Sequence, residues 1–101
     1  MDESKFQVFD AAEFLDSEEA IAAYVSDAMQ DPDPDRLLVA LATVARARGM
    51  THLSETTGLG RESLYKALRP GAKPRFETIA RIIRGLNLNV EVTPHVHASS
   101  L

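Results

Sequence analysis

The segment from residue 51 to residue 75 is rich in side chains of the types that contact nucleic acids. Arginine binds guanine through two hydrogen bonds, a carboxylate accepts from cytosine, and lysine, serine and tyrosine contact phosphates, sugars or base edges. The candidate DNA-binding residues are Thr51, Arg61, Glu62, Ser63, Tyr65, Lys66, Arg69, Lys73 and Arg75. The same residue types also suit a solvated helix surface. Residue types alone therefore do not separate a DNA-binding face from a solvated one. The arrangement of the helices that carry these residues must decide between the two interpretations.

Residues 61–65 are the candidates for reading sequence, because the first turn of a recognition helix reaches the base edges. Arg61 would bind guanine, Glu62 would accept from cytosine N4, and Ser63 would contact a base or a phosphate. Tyr65 would stack on a sugar or touch a thymine methyl group.

The remaining candidates are suited to the DNA backbone. Lys66 and Arg69 follow on the same predicted helix, and Lys73 and Arg75 lie in the next loop, where positive charge would bind phosphates without reading sequence. Thr51 is predicted to cap a short helix whose free N–H groups would face another phosphate.

The spacing of apolar residues around Gly58 is typical of a helix-turn-helix. Leu53 lies five residues before Gly58, and Leu64 lies five residues beyond Leu59. The small Ser54 allows two helices to approach closely, and glycine can adopt the positive φ that such a corner demands. The pattern predicts two packed helices, the second with an outward face that bears the candidates.

Apolar periodicity predicts a mainly all-α fold, with helices over residues 17–29, 34–48, 51–57, 61–68 and 76–86. Asp16 followed by Glu19 resembles a capping box, and Asp33 followed by Pro34 would open the second helix. The apolar stripe of the last helix is predicted to be Phe76, Ile79, Ala80, Ile83 and Leu86.

Two segments outside these helices show the alternation of a strand. In residues 88–93, Leu88, Val90 and Val92 alternate with polar residues, which predicts a short half-buried C-terminal β-strand. Residues 5–9 form either a short strand or an extended arm. We expect an acidic N-terminal arm and helix over residues 1–33, a DNA-binding domain over 34–93, and a flexible tail over 94–101.

Charge is divided along the chain, although the net charge is only −4. Residues 1–35 carry eleven Asp or Glu and one Lys, a net charge of −10, whereas residues 36–101 carry ten Lys or Arg and four Asp or Glu, a net charge of +6. This division indicates two faces with different partners, or one solvated acidic helix and one solvated basic helix.

The composition argues against several other classes of protein. The chain has no cysteine, no apolar run near the ~20 residues that cross a bilayer, and no secretory signal, so we expect a cytoplasmic location. His95 and His97 form a His-x-His pair in the predicted tail, where metal binding would be weak. No catalytic arrangement is evident, and we expect no enzymatic activity, no cofactor and no metal.

The run ARARGMTHLSETTGLGRESLYKALRPGAKPRFETIARIIRGLNL resembles the DNA-binding core of HigA-type antitoxins, also called addiction module antidote proteins. These belong to the lambda-repressor-like (Cro/XRE) helix-turn-helix class. The run FDAAEFLDSEEAIAAYVSDAM resembles their N-terminal segment, so the similarity covers about residues 9–93. Gly60 stands where the wider class commonly has a serine cap, and glycine lacks the hydroxyl that usually contacts a phosphate.

The resemblance implies a five-helix lambda-repressor-like domain and an antitoxin of a type II toxin–antitoxin module. Such a protein neutralises a small basic RelE/ParE (HigB-like) toxin by direct binding and represses its own operon as a homodimer on double-stranded operator DNA. We therefore expect the acidic residues 2–35 to contribute to toxin capture, and residues 51–75 to bind DNA.

Three questions stay open at the level of sequence. The strand at 88–93 would pair with its symmetry mate, with a toxin sheet, or with its own domain, and helix faces near Ile82 and Leu86 are further candidates for dimerisation. A phage-type transcriptional regulator without a toxin partner is one alternative function. A protein-interaction module that no longer binds DNA is another.

Overall fold

A computed structural model of the chain describes residues 15–95, which form five α-helices. In chain order these are α1 (Glu18–Met29), α2 (Pro34–Arg48), α3 (Met50–Thr57), α4 (Arg61–Ala67) and α5 (Phe76–Gly85). The predicted mainly helical fold class is therefore confirmed. Within the described part of the chain, no helix is long and apolar enough to span a bilayer.

All five helices contribute to one hydrophobic core. Each supplies one of the largest fully buried side chains, which are Ile21, Leu41, Leu53, Leu64 and Ile82 in order from α1 to α5. Burial of these side chains is the main stabilising contribution to a domain of this size. The predicted boundary at residue 33 stays a prediction, but α1 shares the core of the helices that follow it.

The helix starts confirm one predicted cap and correct two others. The Asp33 carboxylate accepts from the Asp35 N–H at the start of α2, as predicted. At α1 the cap is Ser17 and not Asp16, because the Ser17 hydroxyl accepts from the Ala20 N–H at 3.0 Å.

Thr51 does not cap α3. Gly49 turns the chain directly after α2 with a φ of 107°. Its carbonyl accepts the first helical hydrogen bond of α3, which the Leu53 N–H donates at 3.1 Å. The N-cap of α3 is thus two residues earlier than predicted, at Gly49, and Thr51 is the second residue of the helix.

The predicted C-terminal strand is not formed. After α5 the Leu88 N–H donates to the Ile83 carbonyl at 3.1 Å, and residues 88–95 continue without helix or strand. A strand requires a neighbouring strand for its hydrogen bonds, and residues 15–95 contain no other. The predictions for residues 5–9 and for residues 96–101, including His97, lie outside the described residues.

Phe76 is exposed and does not belong to the buried stripe of α5. It is 83% exposed, whereas Ile79 and Ile83 are buried. Side chains on a helix tilt toward its N-terminus, so the ring of the first residue of α5 extends past the end of the core.

Candidate nucleic-acid interface

Side-chain hydroxyls hold the corner between α3 and α4. The Thr57 hydroxyl donates to the Leu53 carbonyl at 2.8 Å and accepts from the Leu59 N–H at 3.2 Å. The Ser54 hydroxyl donates to the Leu59 carbonyl at 2.6 Å. Between them, Gly58 adopts the left-handed conformation (φ 75°) that the spacing predicted. These bonds fix the direction in which the chain enters α4.

The corner is packed tightly onto α5. A Cβ atom added at Gly85 would lie 2.6 Å from the Thr57 Cγ2 and 3.0 Å from a Leu53 methyl group. Glycine at this position therefore allows α5 to approach α3 more closely than any other residue would. Leu64 and Leu68 anchor the other side of α4, since both are buried.

The face of α4 opposite Leu64 is exposed. Arg61, Glu62, Ser63 and Lys66 are all exposed, and Tyr65 is 52% exposed although its ring is large. The orientation predicted from the positions of Leu64 and Leu68 is thus the one that the structure has. The DNA contacts assigned to these side chains stay predictions.

The loop after α4 adds basic residues beside this face. Ser63, Lys66 and Arg69 line a groove of about 650 Å³ between α4 and the loop, together with Pro70, Gly71, Pro74 and Thr78 among others. The Gly71 N–H donates to the Asp35 carboxylate at 2.9 Å, which attaches the loop to the first turn of α2.

Six of the nine candidates lie outside this groove: Arg61, Glu62 and Tyr65 on α4, and also Thr51, Lys73 and Arg75. Lys73, in a left-handed conformation (φ 52°), and Arg75 are exposed in the same loop. Thr51 is exposed in the first turn of α3.

The positive charges of this surface are not neutralised by the domain itself. Within residues 15–95 the ion pairs are Arg36–Asp31 and Arg81–Glu77, and neither involves a candidate residue. Glu62 is the one acidic residue among the candidates. The five basic candidates, Arg61, Lys66, Arg69, Lys73 and Arg75, are therefore free to bind an anionic ligand such as a phosphate backbone.

Two relevant residues were missed from the sequence. Thr57 was recognised only as the end of α3, although its position directly before a glycine corner was a usable indication. Arg46 of α2 is not among the candidates, yet it lines a small cleft with Tyr65 and Arg69 and so adds a cation beside α4. Contacts between separate helices leave no periodic pattern in sequence.

No metal centre is evident in the part of the chain that the structure describes. Residues 15–95 contain no group of three or more His, Asp or Glu side chains placed to hold a metal ion.

Comparison with known proteins identifies a family and a relative. A family model described as "Probable addiction module antidote protein" matches residues 5–94. An uncharacterized protein of Haemophilus influenzae (strain Rd) is 40% identical over 84 residues, which cover 83% of this chain and 87% of that protein. No solved structure matches the chain.

Proposed function

Because the chain belongs to the family of probable addiction module antidote proteins, we propose that it is the antitoxin of a type II toxin–antitoxin module. In this proposal it is a HigA-type protein of the Cro/XRE class that neutralises a RelE/ParE (HigB-like) toxin by direct binding. It also represses its own operon, acts in the cytoplasm and has no enzymatic activity. The observation that carries the DNA-binding part is the exposed, unneutralised basic face of α4 and its loop.

The proposed DNA complex places α4 in the major groove. The first turn, with Arg61 and Glu62, then meets base edges, and Lys66 and Arg69 bind the flanking phosphates. Free N–H groups at the start of α3 supply a further backbone contact. The rigid Thr57 corner supports this arrangement, because a recognition helix must hold its angle to the domain.

The proposed repressor is a homodimer. A two-fold axis would place two α4 helices about 34 Å apart, so the operator is expected to be palindromic. The Ile82 and Leu86 side chains are themselves buried, at 0% and 5% exposed, so a dimer contact on this part of α5 would use their exposed neighbours. Residues 88–93 remain exposed along much of their length.

Toxin capture is proposed to use the acidic side of the domain. The described residues 15–35 carry seven Asp or Glu and no Lys or Arg, which suits a basic partner. Deleting residues 1–32 would be an unsuitable test, because it removes Ile21 and Val25 from the core. Charge reversal on α1 is the cleaner one.

Two experiments test the proposed function. Co-expression with the adjacent reading frame, followed by pull-down, should recover a small basic protein, and its absence would favour a phage-type regulator without a toxin. A gel shift with the upstream DNA at two salt concentrations should show affinity that falls steeply with salt. No shift at low salt would favour an interaction module that no longer binds DNA.

A further inference from the structure

A second surface lies between α1 and the residues that follow α5, and we call it the C-terminal groove. One wall is the face of α1 around Val25 and Met29, and the other is the segment of residues 88–95. Its volume is about 670 Å³. None of the candidate DNA-binding residues lines it, so it is separate from the basic face of α4.

Three large apolar side chains that line the C-terminal groove are exposed to solvent. Met29 is 44% exposed, Val90 is 55% exposed and Val92 is 93% exposed. These are three of the six large hydrophobic residues exposed in the described part of the chain. Contiguous exposed apolar side chains are typical of a surface that binds another protein.

The backbone of the same segment is available for pairing. From Asn89 to Val92 no backbone N–H or carbonyl forms a hydrogen bond with residues 15–95. An extended segment with unpaired N–H and C=O groups can add to the edge of another protein's β-sheet. The alternation of Val90 and Val92 with polar residues, which predicted a strand, suits this role.

The charge of the C-terminal groove favours a basic partner. Glu91 lines it, and neither Lys nor Arg does. Glu19 lies on the same face of α1 as Ala22 and Ser26, by helical spacing, and it forms no ion pair within the described residues. A basic protein therefore complements this surface. A second copy of the chain would bring like charges together.

We infer that the C-terminal groove is the docking site for the toxin. In the complex, residues 89–92 pair with an edge strand of the toxin's β-sheet, and apolar side chains of the toxin pack against Met29. This inference rests on the proposed antitoxin function. According to this inference, the predicted strand forms when the chain binds a cationic protein and is not formed in the free chain.

The test measures the affinity of the full chain for the purified product of the adjacent reading frame by titration calorimetry. Met29→Lys places a positive charge in the C-terminal groove, where it would repel a basic partner. Val39→Lys is its matched control, because Val39 of α2 is also 44% exposed and lies outside the groove. Val92→Pro removes a backbone donor at a 93% exposed site, and Val92→Thr is its control.

Met29→Lys and Val92→Pro should each raise the Kd by about tenfold or more, as expected for central contacts of an interface, while both controls stay within about threefold. Toxin affinities equal to that of the unchanged chain would overturn the inference and leave the antitoxin function intact. Conversion of a dimer to a monomer, seen by sedimentation with toxin affinity unchanged, would also overturn it and assign the groove to a second copy. If the unchanged chain does not bind the adjacent product, the antitoxin proposal itself fails.

Discussion

The exposed side chains of α4 differ in what their removal would change. A guanidinium in the first turn can make two directed bonds to a guanine, so its contribution depends on the base pair it meets. A side chain at the phosphate backbone contributes by charge, which acts on every sequence alike. Arg61 belongs to the first kind and Lys66 to the second.

Arg61→Ala should therefore weaken operator binding by about 1–3 kcal/mol and reduce discrimination at one base pair. Binding titrations on the operator and on single-base variants would measure both effects. Lys66→Ala is the comparison, because it should weaken binding to all sequences and lower the slope of log affinity against log salt by about 1. An Arg61→Ala protein with unchanged affinity and unchanged preference would remove Arg61 from sequence reading.

At the scale of elements, the interface depends on how α3, α4 and α5 hold one another. The hydroxyls of Ser54 and Thr57 replace backbone bonds that the corner cannot make, and Gly85 lets α5 lie against them. Both features sit behind the basic face and contact no DNA in the proposed complex. Changes there should act on stability first, and on DNA binding through the angle of α4.

Thr57→Val should lower the free energy of unfolding by about 1–2 kcal/mol, because the buried side chain keeps its shape but the Leu59 N–H loses its acceptor. Thr56→Val is a matched control on the same helix. The Thr56 hydroxyl donates to the His52 carbonyl at 2.9 Å in the same way, but the residue is exposed. Its effect should stay within about 0.5 kcal/mol. Urea unfolding would measure both changes, and equal effects would show that the corner bond is dispensable.

Gly85→Ala should destabilise the domain by about 1–3 kcal/mol, because the new methyl group overlaps the Thr57 Cγ2. In an open helix the same change is stabilising by roughly 0.5–1 kcal/mol, so the sign of the effect is decisive. Thr57→Ser removes the overlapping methyl group and keeps the hydroxyl. In the Thr57→Ser protein, Gly85→Ala should therefore cause a smaller loss of stability, measured by thermal unfolding. A loss of stability as large as in the unchanged chain would contradict the packing described.

The sequence was informative where a pattern is local. The five helices follow from apolar spacing, the Gly58 corner from the need for a positive φ, and the outward direction of Arg61 from the inward direction of Leu64. Contacts between distant residues were not predictable, such as the bond from Gly71 to Asp35. The prediction of a strand at 88–93 was wrong, because the alternation of apolar and polar residues specifies the two faces of a strand but not the neighbouring strand with which it pairs.

At the scale of the whole molecule, charge and surface chemistry are separated. The basic candidates lie on α4 and its loop, with the uncharged candidate Thr51 on α3, whereas seven of the eleven acidic residues of the described chain lie within residues 15–35. One of these seven, Asp35, contacts the basic loop, because its carboxylate accepts a hydrogen bond from the Gly71 N–H. Opposite fields on different faces steer partners of opposite charge to different sites. A chain of net charge −4 thus offers suitable surfaces for both partners of the proposed function, a polyanion and a basic protein.

Glu19→Lys with Asp27→Lys should slow toxin association by about tenfold at low salt, and by much less at high salt, because the change acts on long-range attraction. Stopped-flow mixing at two salt concentrations would measure the rates. Glu55→Lys with Glu77→Lys gives the same net charge with the changes on α3 and α5, and this protein should associate nearly as fast as the unchanged chain. Equal slowing in both would indicate a net-charge effect and no acidic docking face.

The close approach at Gly85 also constrains how this protein can diverge. A lineage that gains a side chain at position 85 must lose the methyl group at position 57, while it keeps a hydroxyl there to hold the corner. Among descendants of a common ancestor, alanine at 85 should thus accompany serine at 57. These two positions, 28 apart along the chain, are expected to change as a pair even though neither touches a ligand.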